Sequence, residues 1–135
     1  MGTIKHFEDI EAWKTARALS LSIYTVTNQK PFSRDFGLMD QIRRSTVSIM
    51  SNIAEGFESQ TDKTFIRYLG IAKSSAGEVR SQIYTALDQN YISKKNFIQY
   101  MTCAVEFPAK YLSSSNTWIN PTQPPNHNFQ TFDGF

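Results

Sequence analysis

The sequence has a single cysteine, Cys103, so no intrachain disulfide can brace the chain. Its two histidines, His6 and His127, lie near opposite ends and share no ligand cluster with Cys103, so no metal site is visible. No apolar run approaches the roughly 18 residues that a membrane span needs. The first residues carry Glu8, Asp9 and Glu11 and lack an apolar core, unlike a secretory leader. Met1-Gly2 opens like a myristoylation signal, but His6 stands where Ser or Thr is required. There is no Walker loop and no dinucleotide-binding glycine fingerprint. Carboxylate pairs with acid–base spacing are missing, apart from Glu55 and Glu58, which straddle an expected helix end. Cys103, on an apolar helix, reads as core rather than nucleophile. These absences leave a cytoplasmic protein without catalysis, without a cofactor and without a membrane partner as the expectation.

What is present is helical periodicity. The 135 residues, 40% of them hydrophobic, fit one domain with a real core. A first helix is expected from about Glu8 to Thr27, with Ala12, Ala16, Leu19, Ile23 and Val26 on one seam and Ile10, Trp13 and Tyr24 broadening it. Pro31 and its turn-forming neighbours make residues 28–35 a loop. A second helix starts near Phe36; Met39, Ile42, Thr46, Ile49 and Ile53 form its stripe. Gly56 stands where a helix end wants a residue free to turn left-handed. Thr61 or Ser59 can cap a third helix, and Asp62 suits its positive first turn. That helix has the cleanest heptad in the chain: Phe65, Leu69, Ala72, Ala76, Val79, Ile83 and Ala86. Residues 88–92 turn the chain and Ser93 caps a fourth helix carrying Phe97, Met101, Ala104, Val105, Tyr111 and Leu112. Pro108 inside it predicts a kink or an early end near Phe107, since an interior proline costs about 3 kcal/mol. Four rods of about 30 Å joined by short links predict an all-α, antiparallel up-down-up-down four-helix bundle over residues 1–115.

Residues 116–135 differ in character. Prolines, asparagines and spaced aromatics read as a disordered tail on composition. Trp118, Phe129, Phe132 and Phe135 are alternatively anchors along a bundle groove or on a neighbouring subunit.

Net charge is +2 and unevenly spread. Residues 1–60 hold seven basic and seven acidic side chains, whereas residues 61–115 hold seven basic and four acidic. Basic surface is therefore expected on the second half. The bias is mild, and several aligned copies would bind phosphate better than one, because each neutralised phosphate adds to the salt-sensitive term.

Two groups of residues stand out as candidate sites. On the second helix, small hydroxyls and an Asn-Glu pair occupy a face where Lys, Glu or Ala would favour helix more. Arg43 or Arg44 with Ser48, Asn52 and Glu55 would suit a phosphate or a small molecule. The same residues suit a hydrogen-bonded network that fixes helix register or a subunit contact, the reading the sequence favours. Asp40 and Arg44 form an ordinary i,i+4 pair. On the third helix, Gly70, Lys73, Gly77 and Arg80 share a stripe. Two mid-helix glycines cost about 1 kcal/mol each relative to alanine, which close approach of RNA backbone or of another helix would offset; tight helix packing is the plainer account. Lys63, Arg67, Lys94 and Lys95 extend the basic surface, or serve only as solubility charges.

The run Gln41-Ile42-Arg43-Arg44, Ser48-Ile49 and Asn52-Ile53-Ala54-Glu55-Gly56 resembles the signature of the four-helix bundle family of 23S rRNA intervening sequence proteins. Ala12-Trp13-Lys14-Thr15-Ala16, Phe36-Gly37-Leu38, Phe65, Tyr68-Leu69, Ile71-Ala72, Ser74-Ser75, Glu78 and Asn90-Tyr91-Ile92 agree with it. The resemblance covers roughly residues 7–112 and extends to the accessory proteins of diversity-generating retroelements. It implies a homo-oligomer, a pentameric ring in this group, and association with nucleic acid. The leading expectation is an RNA- or DNA-binding accessory protein using Lys63, Arg67, Lys73, Arg80, Lys94 and Lys95. The alternatives are a protein-interaction scaffold and a small-molecule site near Arg44, Asn52 and Glu55.

Overall fold

The computed structural model describes residues 4–111, with side chains through residue 105. Four helices account for most of it: α1 (Glu11–Thr27), α2 (Phe36–Glu58), α3 (Asp62–Asp88) and α4 (Lys94–Tyr111). Short 3-10 turns at Phe7–Asp9 and Phe32–Arg34 precede α1 and α2, so the first helix begins three residues later than the sequence suggests. The described residues contain no strand, and no described helix is long and apolar enough to cross a membrane.

The predicted seams form the core. Ala12, Ala16, Leu19, Ile23 and Val26 of α1 are buried, as are Ile42, Thr46, Ile49 and Ile53 of α2 and all seven heptad positions of α3. Met39 is half-buried against them. The fourth helix buries the expected face except at Val105, and adds Tyr100 to it. Tyr100 and Ala104 are buried, Phe97 and Met101 are half-buried, and Val105 is 41% exposed. Position 104 lies almost directly above 97 at 3.6 residues per turn, while 105 falls about 80° away. The helix also continues past Pro108 to Tyr111, so the early end near Phe107 is not observed. Tyr111 and Leu112 fall outside the described side chains.

Helix ends follow capping chemistry, with one correction. Asp35 accepts from Leu38 N–H (3.1 Å) at the start of α2, and Thr61 accepts from Thr64 N–H (3.3 Å) at the start of α3. Ser93 accepts from Asn96 N–H (3.1 Å) at the start of α4. Just past the end of α3, Asn90 takes φ 60°, with Tyr91 N–H donating to Ala86 O and Asn90 N–H to Leu87 O, both at 2.9 Å. Helix α2 does not end at Gly56. It runs to Glu58, and the left-handed residue is Gln60, at φ 62°. Gly56 is instead buried where α2 meets α3: a Cβ there would lie 2.6 Å from Tyr68 Cβ. The glycine is needed for close approach, not for chain reversal.

Pairings fix the helix directions. Ser45 meets Glu78, Ser48 meets Ser75, and Glu55 meets Tyr68. Each step forward on α2 is matched by an equal step back on α3, so the two are antiparallel and in constant register. Arg43, near the start of α2, meets Thr27 at the end of α1, so that pair is antiparallel too. Helices α3 and α4 are joined by a five-residue link and pack through Tyr84 and Phe97 (centroids 5.1 Å apart). Contacts between α1 and α4 close the bundle, and the α2–α3 contact is the most extensive.

Candidate functional site

The polar face of α2 is a line of contacts rather than a pocket. Ser45 Oγ donates to Gln41 O (2.9 Å) and lies 3.2 Å from Glu78 Oε2. Ser48 and Ser75 hydroxyls are 2.9 Å apart. Asn52 Nδ2 donates to Ser48 O (2.7 Å) and Ser48 Oγ (3.0 Å). Tyr68 donates to Glu55 Oε1 (2.9 Å), and this bond, with the carboxylate's charge, raises the phenol above its ordinary value. Ser45, Ser48, Asn52 and Glu55 thus sit beside the apolar seam and face α3.

The arginines point elsewhere. Arg43 Nε donates to Thr27 Oγ1 (2.8 Å) and its Nη2 to Asn28 Oδ1 (2.9 Å), while its guanidinium lies 4.7 Å from the Tyr24 ring centroid. It places a cation at the negative end of α1 and ties α1 to α2. Arg44 pairs with Asp40 at 3.0 Å in a largely exposed contact, of the kind that contributes little. Arg44 and Glu55 are eleven residues apart on one helix, about 16 Å along its axis. A hollow of about 440 Å³ between α1 and α2 includes Arg44, Arg43 and Ser48 but neither Asn52 nor Glu55. The structure therefore does not gather the five polar residues around one ligand.

The basic residues divide into three places. Lys63 and Arg67 are exposed on the opening turns of α3; the Arg67 guanidinium is 5.8 Å from the Tyr68 ring centroid. Lys73 and Arg80 are half-buried further along. Tyr84, one turn beyond Arg80, packs edge-on against Phe97, so this stripe runs beside α4. Arg80 lies over Gly77, its Nη2 3.6 Å from where a Cβ would stand, and its Nε is buried without a hydrogen-bond partner among the described residues. Lys94 and Lys95 are exposed on the first turn of α4, at the other end of the bundle from Lys63. Lys63 and Arg80 are about 25 Å apart along α3, and no acidic residue falls between Lys63 and Gly77.

Other candidates stay apart. His6 is exposed, Cys103 is half-buried against the core, and His127 lies outside the described residues. Among the described residues no group of three or more His, Cys, Asp or Glu could hold a metal ion.

In a comparison against protein families, the model described as 23S rRNA-intervening sequence protein matches residues 8–112, a span that includes all four helices. The chain belongs to that family. A solved structure titled as a protein with unknown function from the S23 ribosomal protein family of Bacteroides thetaiotaomicron VPI-5482 shares the fold, with a TM-score of 0.64 at 23% identity. The alignment covers 71% of this chain and 90% of that one. No curated protein matches the chain. The Gln41–Gly56 run lies within the matched span, on the helix that packs against both α1 and α3.

The sequence did not single out Ser45, Ser75, Tyr68 or Thr27 as partners of the polar face. A signal was there: Ser75 and Tyr68 are seven apart on α3, as Ser48 and Glu55 are on α2, which is the spacing of two facing heptads.

Proposed function

We propose that this member of the 23S rRNA-intervening sequence protein family is a non-catalytic, cytoplasmic accessory protein that works as a homo-oligomer, a pentamer on the family's precedent, and associates with RNA. One observation carries the reading. Helix α3 carries Lys63, Arg67, Lys73 and Arg80 with no acidic residue in the sequence from Lys63 to Gly77, and Lys94 and Lys95 stand exposed on the first turn of α4. Two lysines on a helix's positive first turn oppose the helix dipole by about 0.3–1 kcal/mol each, a cost that an external anion would reverse. Binding of this kind is backbone-directed and weakly selective. The network through Ser48, Asn52 and Glu55 then serves register or assembly, not ligand binding.

Titrating a structured RNA at low and moderate salt tests this. Binding should fall steeply with salt, with a slope that shrinks by roughly 0.7–0.9 for each phosphate contact removed. Reversing Lys63, Arg67, Lys94 and Lys95 to Glu, all exposed, should abolish most of it. No binding at low salt would sink the reading.

The scaffold alternative has its own support. Ile98 (63% exposed) and Val105 (41% exposed) stand two turns apart on the outer side of α4. An exposed apolar pair suits contact between copies. If the charge reversals leave every partner and the native mass unchanged, the scaffold reading holds alone.

A further inference from the structure

On the outer side of α1 and α2 runs an open groove of about 650 Å³, lined among the described residues by these helices and Phe7. Phe7, Trp13, Leu21 and Tyr24 form one wall, and Val47 and Met50 the other. Leu21 is 69% exposed and Tyr24 and Val47 are each 40% exposed. Such a grouping of large apolar side chains on one face signals something that covers it.

We propose that the chain's own C-terminal segment, from Trp118 to Phe135, occupies this groove and seats its aromatic rings there. The starting point is right. Helix α4 ends at Tyr111 and is antiparallel to α1, so its end lies beside the start of α1, where the groove opens at Phe7 and Trp13. The six steps from Leu112 to Trp118 span about 20 Å when extended, enough to round a helix about 10 Å across.

The chemistry also fits. From Leu112 to Phe132 there is no Asp, Glu, Lys or Arg, so the segment lacks the charge that keeps a tail solvated. Phe129, Phe132 and Phe135 recur every third residue, after Pro121, Pro124 and Pro125. In a polyproline II conformation, with three residues per turn, these rings share one edge at about 9 Å spacing. Trp13 and Tyr24 mark about 16 Å of groove, nearly two such steps. The rim already holds guanidinium groups against rings: Arg17 lies 5.8 Å from the Trp13 centroid and Arg43 4.7 Å from that of Tyr24. Added aromatic rings would share them.

The test uses the full chain with Cys103→Ala, carrying Leu21→Cys in the groove and Phe132→Cys in the tail. Its control pairs Phe132→Cys with Ser81→Cys, an exposed position on α3. On oxidation the groove pair should form an intrachain disulfide at least roughly tenfold faster than the control, at a rate independent of protein concentration, as local effective concentration requires. Equal rates, or disulfides that join two chains, overturn the proposal; the second result would assign the groove to a neighbouring copy. A second arm keeps Cys103. Leu21→Asp with Val47→Asp should speed chymotryptic cleavage at Phe129 and Phe132 by about fivefold or more, since cleavage follows the undocked population. Unchanged cleavage overturns the proposal.

Discussion

Tyr91 donates a hydrogen bond to the Asp35 carboxylate at 3.0 Å, across 56 positions of chain. The same carboxylate caps α2 through Leu38 N–H, and the Tyr91 ring stacks on the buried Phe32 at 5.0 Å. One aspartate therefore starts a helix and pins the α1–α2 loop to the α3–α4 turn. Asp35→Ala should destabilise the protein by about 1–3 kcal/mol, from the lost cap and the orphaned phenol. Asp35→Asn, which keeps an acceptor and caps well, should cost less. Urea unfolding of both variants checks this; equal losses would contradict it.

Gly56 and Gly77 should respond oppositely to alanine. At Gly56 the new Cβ would meet Tyr68 Cβ at 2.6 Å, a contact with an atom fixed to the backbone, so overpacking of about 1–3 kcal/mol is expected. At Gly77 the nearest atom is Arg80 Nη2 at 3.6 Å, an ordinary contact. There the gain in helix propensity, up to about 1 kcal/mol, should prevail. Thermal melts of the two variants should move in opposite directions.

Gln60 holds φ 62° just past the end of α2. Gln60→Gly removes that strain and should stabilise by about 1 kcal/mol, whereas Gln60→Val should destabilise. The midpoint of denaturant unfolding measures both.

Alkaline stability should depend on two tyrosines. Hydrogen bonds to Glu55 and Asp35 raise the phenols of Tyr68 and Tyr91 above their ordinary value of 10.0. The fold thus favours the protonated phenols. Their contribution is complete below the unfolded value and is lost as pH rises through the folded ones. The variant Tyr68→Phe/Tyr91→Phe should show a flatter fall in stability above about pH 10. An unchanged alkaline limb would show that these bonds do not persist in solution.

Much of the architecture was legible because period alone carries it. The α3 heptad from Phe65 to Ala86 is buried at every position, since a seam at alternating steps of four and three has only one inward face. On α4 the sequence reading included Val105, which is exposed, and left out Tyr100, which is buried; both are large side chains beside the seam, and only packing against α3 and α1 selects between them. Gly56 was misread for a different reason: an end-of-helix glycine and a close-contact glycine look alike until Tyr68 is placed opposite. In the candidate site, the i,i+4 pair of Asp40 and Arg44 is local and was read directly. The reach of Arg43 to Thr27 and Asn28 joins separate helices, which no spacing within α2 reveals.

Double-mutant cycles between Ser48→Ala and Ser75→Ala should give a coupling of about 0.5–1.5 kcal/mol. Additive losses would mean that the two hydroxyls act independently.

The equal-step pairing of α2 with α3 makes their alignment an all-or-none property. A slip of one helical turn, about 5.4 Å, would part Ser45 from Glu78, Ser48 from Ser75 and Glu55 from Tyr68 together. It would also carry Gly56 off the crossing and bring a side chain into the space where no Cβ fits. The two helices behave like a toothed rack with one seating. Sliding α2 along α3 would therefore break all three side-chain pairings in one step rather than one at a time.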